Sequence, residues 1–270
     1  EDLGAQGEVP SHPLLLDHLA VAFMESGWDV KVLMKQMVMS RTYRQSSVAA
    51  PVQFAADPEN RLLARGSRFR LDAEMIRDQI LASSGLLVPT LYGRSVKPPQ
   101  PDGLWKSVTM IGERFRADNG EDIYRRSLYT AWKRTSPPPS MAIFDAPSRE
   151  TCSVRRLNTN TPLQALVLQN DPQFLEAAYA LGDLMAAEGS PQDGIDLGAK
   201  RVLGRAPTTK ERDVLSAALV RYRQAYQSQA ENARQLLASA GAPGSGDPVQ
   251  VAWTLVASTL LNMDEAVTRQ

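Results

Sequence analysis

Residues 121–174, EDIYRRSLYTAWKRTSPPPSMAIFDAPSRETCSVRRLNTNTPLQALVLQNDPQF, constrain the fold of this chain more than any other stretch. Clustered arginines, aromatics, a triple proline and a capped helix start share one short segment. A segment this rich in Arg and Pro, with no 3.6-residue apolar period, cannot be an ordinary amphipathic helix. Its conformation has to be set by specific polar contacts.

The elements around it read as helices. Pro13 suits a first helical turn, and Leu15, Leu19, Ala22 and Phe23 recur at helical spacing up to Gly27. Asp29 is an acceptable N-cap for a second helix, whose stripe of Val30, Leu33, Met34, Met37 and Val38 follows i, i+3, i+4, i+7, i+8. The short turn between them predicts an antiparallel pair, with Met34, Met37 and Met39 as adaptable core. A loop spans residues 46–60, and Asp72 caps a helix to about Ser84.

Residues 86–102 form a Pro-rich loop, and residues 105–119 have no clear period. Thr161-Pro162-Leu163-Gln164 reads as N-cap, N1 and N3 of a capping box, and Asp171-Pro172 repeats the start signal. Phe174, Ala177, Ala178, Leu181 and Met185 then face inward. Ile195, Ala199, Val202 and Leu203 lead to Gly204 as a helix stop. Thr208 with Glu211 opens another helix, burying Leu215, Ala218, Leu219 and Tyr222. After a turn at residues 241–246, a closing helix buries Val249, Ala252, Trp253, Val256, Ala257 and Leu260.

No strand–helix alternation of a parallel sheet is present. Short strands fit only residues 64–71 and 123–132. The fold class is therefore mainly α: an irregular multi-helix domain with a long Arg/Pro-rich loop region and a few short strands. It reads as one domain over residues 1–270, with a helical pair at 1–60, a basic loop-rich middle at 61–160 and C-terminal helices at 161–270.

The formal net charge is zero, but it is unevenly distributed. Residues 61–156 hold 17 basic against 10 acidic side chains, while both flanks are acidic. Of the 30 basic residues 23 are Arg, which favours planar, bidentate pairing. Around the capped helix at Asp72, Arg68, Arg70 and Arg77 with Glu74 and Asp78 make either an anion site or an ion-pair lattice. In residues 124–134, Arg125, Arg126, Trp132 and Arg134 interleave cations with aromatics. That mixture suits stacking on a polymer, or a segment wedged between charged helices. The prolines at 137–139 read as a rigid corner. Asp145, close in sequence to Arg149, Arg155 and Arg156, is either a general base or the arginines' counter-ion.

No GxSxG, P-loop, HExxH or GxGxxG is present. The lone Cys152 excludes an internal disulfide and CxxC chemistry, and with only His12 and His18 besides, no metal site is expected. The cationic neighbours of Cys152 suit a nucleophile, yet free Cys is usually buried and inert. His12 and His18 are six apart and share no helical face. The longest uncharged run near the end, residues 248–263, is too short to span a bilayer. No catalytic residue can be assigned.

Five long stretches carry a resemblance: HPLLLDHLAVAFMESGWDVKVLMKQMVMSRTYRQSS, DPENRLLARGSRFRLDAEMIRDQILASSGLL, SVKPPQPDGLW, YRRSLYTAWKRTSPPPSMAIFDAPSRETCSVRRLNTNTPLQALVLQNDPQF and VAWTLVASTLLNMDEAVTR. Together they resemble the C-terminal domain of unknown function in large planctomycete-type cytochrome-c-like proteins. The resemblance implies an exported, extracytoplasmic protein whose upstream domain carries haem c. This chain has no CxxCH and no cofactor of its own. It further implies a domain truncated at its N-terminus, leaving an exposed apolar face near Leu15 or Phe23.

Two function classes follow. One is a non-catalytic interaction domain that docks upstream domains of the same polypeptide or holds anionic polysaccharide, with no nucleic acid expected. The other is a polysaccharide-processing or haem-coupled redox domain using Asp145 or the Asp72, Glu74 and Asp78 group. The first needs outward-facing arginines, and the second a pocket with an unpaired carboxylate.

Overall fold

Capping chemistry places most of the helices. In a computed structural model describing residues 4–101, 103–105, 114–242 and 246–269, Pro13 opens α1 (Pro13–Glu25) and Asp29 opens α2 (Val30–Met39). The Asp29 carboxylate accepts from the N–H groups of Lys31 at 2.9 Å and Val32 at 3.1 Å. A short α3 (Pro51–Ala56) interrupts the expected loop, with Pro51 in its first turn and Gln53 Oε1 accepting from the Ala50 N–H. The molecule divides into two compact units, Glu1–Phe69 with Thr268–Gln270, and Arg70–Val267.

In the first unit, α1 and α2 meet each other, but no residue of α1, α2 or α3 is buried. The stripe read as core is exposed: Met34 by 58%, Met37 by 42% and Val38 by 40%. The periodicity is correct, but no described second layer lies over that face. Leu15 is exposed too, and Phe23 meets Trp28 edge-on at 5.3 Å. Order here comes largely from polar turns. Asp57 accepts from the Arg61 and Leu62 N–H groups, and Arg65 donates to the Asp57 and Pro58 carbonyls while lying 4.3 Å over Phe54.

The second unit holds the main core. Its centre is α7 (Pro172–Ala186), packed against α11 (Pro248–Leu261), α8 (Pro191–Leu203) and α4 (Ala73–Ser84). Phe174, Ala177, Ala178, Leu181 and Met185 are buried as the sequence predicts, facing Trp253, Val256, Ala257 and Leu260. Two glycines set the spacing. A Cβ at Gly182 would lie 2.9 Å from the Thr254 nitrogen, and one at Gly194 would lie 2.3 Å from the Met185 carbonyl oxygen. Burying Ile76, Leu181, Ile195 and Leu260 contributes about 1.5–3 kcal/mol each.

Further helices complete this unit: α5 (Pro139–Ile143), α6 (Pro162–Asn170), α9 (Thr209–Gln227), α10 (Ala230–Ser239) and α12 (Asp264–Val267). The Thr208/Glu211 capping box forms as read. At α6 only half of its box forms: Thr161 caps the Gln164 N–H, but the Gln164 side chain turns away. Asp72 sits at the N-cap of α4 without a side-chain cap bond. The helix α10 has no side-chain cap at its start. It buries Ala233 and Leu237 against Val251. Val249, expected inside, is 36% exposed.

The fold is mainly α, with one two-stranded sheet of β1 (Phe69–Arg70) and β2 (Thr268–Arg269) among the described residues. Residues 123–132 do not form a strand. Tight 3-10 turns at Gly120–Tyr124 and Ser127–Tyr129 replace it, tied by isolated bridges from Val88 to Arg125 and Val96 to Thr130. Inward positions Arg125, Ser127 and Thr130 break the two-residue alternation that a strand needs. The unperiodic stretch at 105–119 and the turn at 241–246 lie partly outside the described residues.

Candidate functional site

Arg77 organises the basic middle segment. It projects from α4, is 3% exposed, and donates in four directions. Nε reaches Gln173 Oε1 at 2.6 Å, and Nη1 reaches the Arg125 carbonyl at 2.9 Å and Ser127 Oγ at 3.1 Å. Nη2 reaches the Ile123 carbonyl at 2.6 Å. Neighbouring Asp78 accepts from the Ser127 N–H at 2.7 Å. Burial pushes the Arg77 guanidinium down to about 10, so it stays charged at neutral pH. The α4 cation therefore fixes the conformation of the 3-10 turns, which have no ladder of their own.

Arg125 is buried as well. It donates to the carbonyls of Thr90, Tyr92 and Arg94 and lies 4.1 Å over the Tyr129 ring, while its Nε has no partner. Its charge thus gathers the Pro-rich loop onto the turns and is closed to a polymer. Tyr124 donates to Glu176 Oε1 at 2.5 Å, and burial with that bond pushes its hydroxyl up to about 12.

Arg77, Lys97, Gln100, Thr130, Asp171 and Gln173 line a small cavity, closed by Phe115 and residues 138–141. The room inside is ≈ 30 Å³, enough for about two waters. Thr130 Oγ1 and Gln100 Nε2 are buried in its wall without a partner. Asp171 is the carboxylate there. Its acidity is weakened chiefly by burial, which outweighs the N–H groups of Gln173 and Phe174 and the field of Arg77. Such a group can hold a proton or order water, but a sugar ring does not fit beside it.

A second polar corner surrounds Asp145, which has a left-handed φ of 60°. Its Oδ2 accepts from the N–H and hydroxyl of Thr159, both at 2.7 Å, and from Gln164 Nε2 at 3.4 Å. Gln164 also donates to the Ile143 carbonyl, and its buried Oε1 has no partner. Arg70 lies in the field of Asp145 and Asp264. Burial pulls its guanidinium below the usual value, and its Nε is unpartnered. Arg156 grips Glu74 with both nitrogens, at 2.6 and 3.3 Å, and stands 3.6 Å from Asp72. Burial alone would raise the Glu74 pKa, but the Arg156 hydrogen bonds win and hold it low.

The remaining candidates face outward. Arg126, Arg134 and Arg155 are exposed with no hydrogen bond or ion pair among the described residues, as are Arg114 and Arg116. Trp132 is half-buried, donates to the Ser148 carbonyl at 3.1 Å, and carries Arg149 at 4.6 Å over its ring. Arg68 is exposed in the first unit and is not free of contacts. Of the candidate residues read from sequence, Arg77 alone reaches the small cavity. Lys97, Gln100, Thr130, Asp171 and Gln173, which line it too, were not among those candidates. The Asp-Pro signal marked a cap and gave no sign of its burial.

Among the described residues no His, Cys, Asp and Glu group could hold a metal ion, and Cys152 is exposed. No helix there is long and apolar enough to cross a membrane. Residues 1–219 match the family described as PSD1: Protein of unknown function (DUF1553). No curated protein and no solved structure matches the chain.

Proposed function

The chain belongs to the PSD1 family of proteins of unknown function, DUF1553, and on that footing we propose that it is a non-catalytic interaction domain that holds anionic polysaccharide on an arginine fringe. One contrast carries this reading. Arg77, Arg125 and Arg156 are used up by internal partners, whereas Arg114, Arg116, Arg126, Arg134 and Arg155 are exposed with no partner among the described residues. Exposed guanidinium forks suit sulfate and carboxylate groups, and Arg149, stacked on the Trp132 ring, is exposed as well. Binding of this kind is screened by salt.

The test is a titration with sulfated and carboxylated polysaccharides at low and high salt, using wild type and the Arg126→Ala/Arg134→Ala double variant. Binding that weakens with salt and falls about 2- to 30-fold in the double variant supports the proposal. Absence of binding at low salt refutes it. The proposed partner domain is an upstream haem c domain in an exported polypeptide, supported by the sequence resemblance alone.

A polysaccharide-processing or haem-coupled redox enzyme is the second reading, favoured by the weakened acidity of Asp171. The carboxylates that the sequence offers for that chemistry have partners: Asp145 has Thr159, Glu74 has Arg156, Asp78 has the Ser127 N–H, and Asp72 stands 3.6 Å from Arg156. The cavity at Asp171 also has room only for water. The binding role is therefore preferred.

A further inference from the structure

A cleft separate from the arginine-rich segment is lined by α6, α7, α9, α10 and α11, and has a volume of ≈ 550 Å³. That is within the usual range for small-molecule sites. Its lining contains no Asp, Glu, Lys or Arg. In a chain with 22% charged residues, that leaves a wall of amides, hydroxyls, leucines and Tyr222.

The amides are oriented by their own helices. Asn170 Nδ2 donates to the Leu166 carbonyl at 2.8 Å, Asn232 Nδ2 to Gln229 Oε1 at 2.8 Å, and Gln235 Nε2 to Glu231 Oε1 at 3.1 Å. Each thus has one donor tied down and a side-chain oxygen with no partner among the described residues. The hydroxyls behave alike: Ser239 donates to the Gln235 carbonyl at 2.9 Å and Thr259 to the Leu255 carbonyl at 2.8 Å. The amides therefore keep one N–H donor and an oxygen acceptor each, and the hydroxyls keep oxygen lone pairs.

We propose that this cleft binds a neutral polyhydroxylated ligand, a short segment of uncharged glycan. Sugar hydroxyls, which both donate and accept, match amides and hydroxyls that offer both, and the C–H face of the ring covers Tyr222, Leu236 and Leu255. An anion would find no Lys or Arg in the lining to offset its desolvation, and a purely apolar ligand would strand the amides and hydroxyls. A cation would find no carboxylate in the lining. Tyr222, Asn232, Gln235 and Thr259 lie past the residues that match the family, 1–219. The site is independent of the arginine fringe.

The experiment is saturation-transfer NMR followed by calorimetric titration of the whole 270-residue chain. The probes are maltotriose, cellotriose and mannotriose, each at low and high salt. The expected result is binding of at least one trisaccharide with Kd near about 1 mM, equal at both salt levels. The Asn232→Ala/Gln235→Ala pair weakens it about tenfold. Both residues are exposed on α10, so the pair keeps the fold, and circular dichroism checks this. The Arg126→Ala/Arg134→Ala variant binds the trisaccharide as wild type does, which separates this site from the polyanion surface. Binding by none of the three sugars, or wild-type affinity in the Asn232/Gln235 variant, overturns the proposal.

Discussion

Replacing Arg77 by Met should destabilise the second unit by about 3–5 kcal/mol, the usual range for breaking a buried charged network. The side chain makes four hydrogen bonds between 2.6 and 3.1 Å, to Gln173, Arg125, Ser127 and Ile123. Bonds from a charged donor contribute about 1.5–3 kcal/mol each, so the gross loss is roughly 6–12 kcal/mol. Against this stands the cost of burying the guanidinium. Its fall from 12.5 to about 10 means that the folded protein disfavours the charged form by roughly 3 kcal/mol. Met restores apolar volume, but leaves Gln173 Oε1 and the Arg125 carbonyl without their donor. The Ile123 carbonyl keeps Gln173 Nε2 at 3.2 Å, which moderates the loss. Urea unfolding followed by far-ultraviolet circular dichroism measures the difference. Arg77→Lys keeps the charge but not the fork, and should recover no more than about half of the loss. A loss below about 1 kcal/mol in Arg77→Met, or wild-type stability in Arg77→Lys, refutes the assignment of Arg77 as organiser of the turns.

Two further substitutions test other parts of the same unit. The Asp171 carboxyl is harder to ionise in the folded state than in the unfolded chain. Its contribution is therefore fully present below the unfolded value and is lost as pH rises from about 4 through the folded value. Asp171→Asn keeps an N-cap acceptor, so it should remove this part of the pH dependence in a stability titration while leaving helix content unchanged. At Gly194 a Cβ would meet both the Met185 backbone and the Trp253 ring, at 2.9 Å from the latter. Gly194→Ala should cost about 1–3 kcal/mol by thermal or urea unfolding, and unchanged stability would show that α7 and α8 can separate freely.

The helices of the second unit were legible because each carries its own start signal. Thr161, Asp171 and Thr208 cap as their neighbours dictate, and the apolar faces from Phe174 to Met185 and from Trp253 to Leu260 are the ones buried. The first unit obeyed its period without burying it, since a stripe says which residues share a face and nothing of whether another layer covers that face. Residues 123–132 were misread because their aromatic and Thr content suits a strand, while the real determinant is Arg77, about fifty positions away. The same non-local dependence hid the candidate site. Arg125 and Arg126 are chemically identical neighbours, yet one is wrapped by the carbonyls of the Pro-rich loop and the other faces water. No local pattern distinguishes them. The helix α10 lacked a capping signal, its preceding Gln229 making no side-chain cap.

Asp171 belongs to two helices at once. Its N–H closes α6 on the Val167 carbonyl at 2.9 Å, and its carboxylate opens α7 on the Gln173 N–H at 3.0 Å. No spacer residue lies between the two rods, so they form a bent lever with a single-residue elbow. A load that swings α6 cannot be absorbed as slack in a linker and has to turn this elbow. The elbow's side chain also stands in the wall of a water-sized chamber beside Arg77. Because one residue joins both helices and lines that chamber, α6 and α7 cannot be re-angled without disturbing the chamber wall.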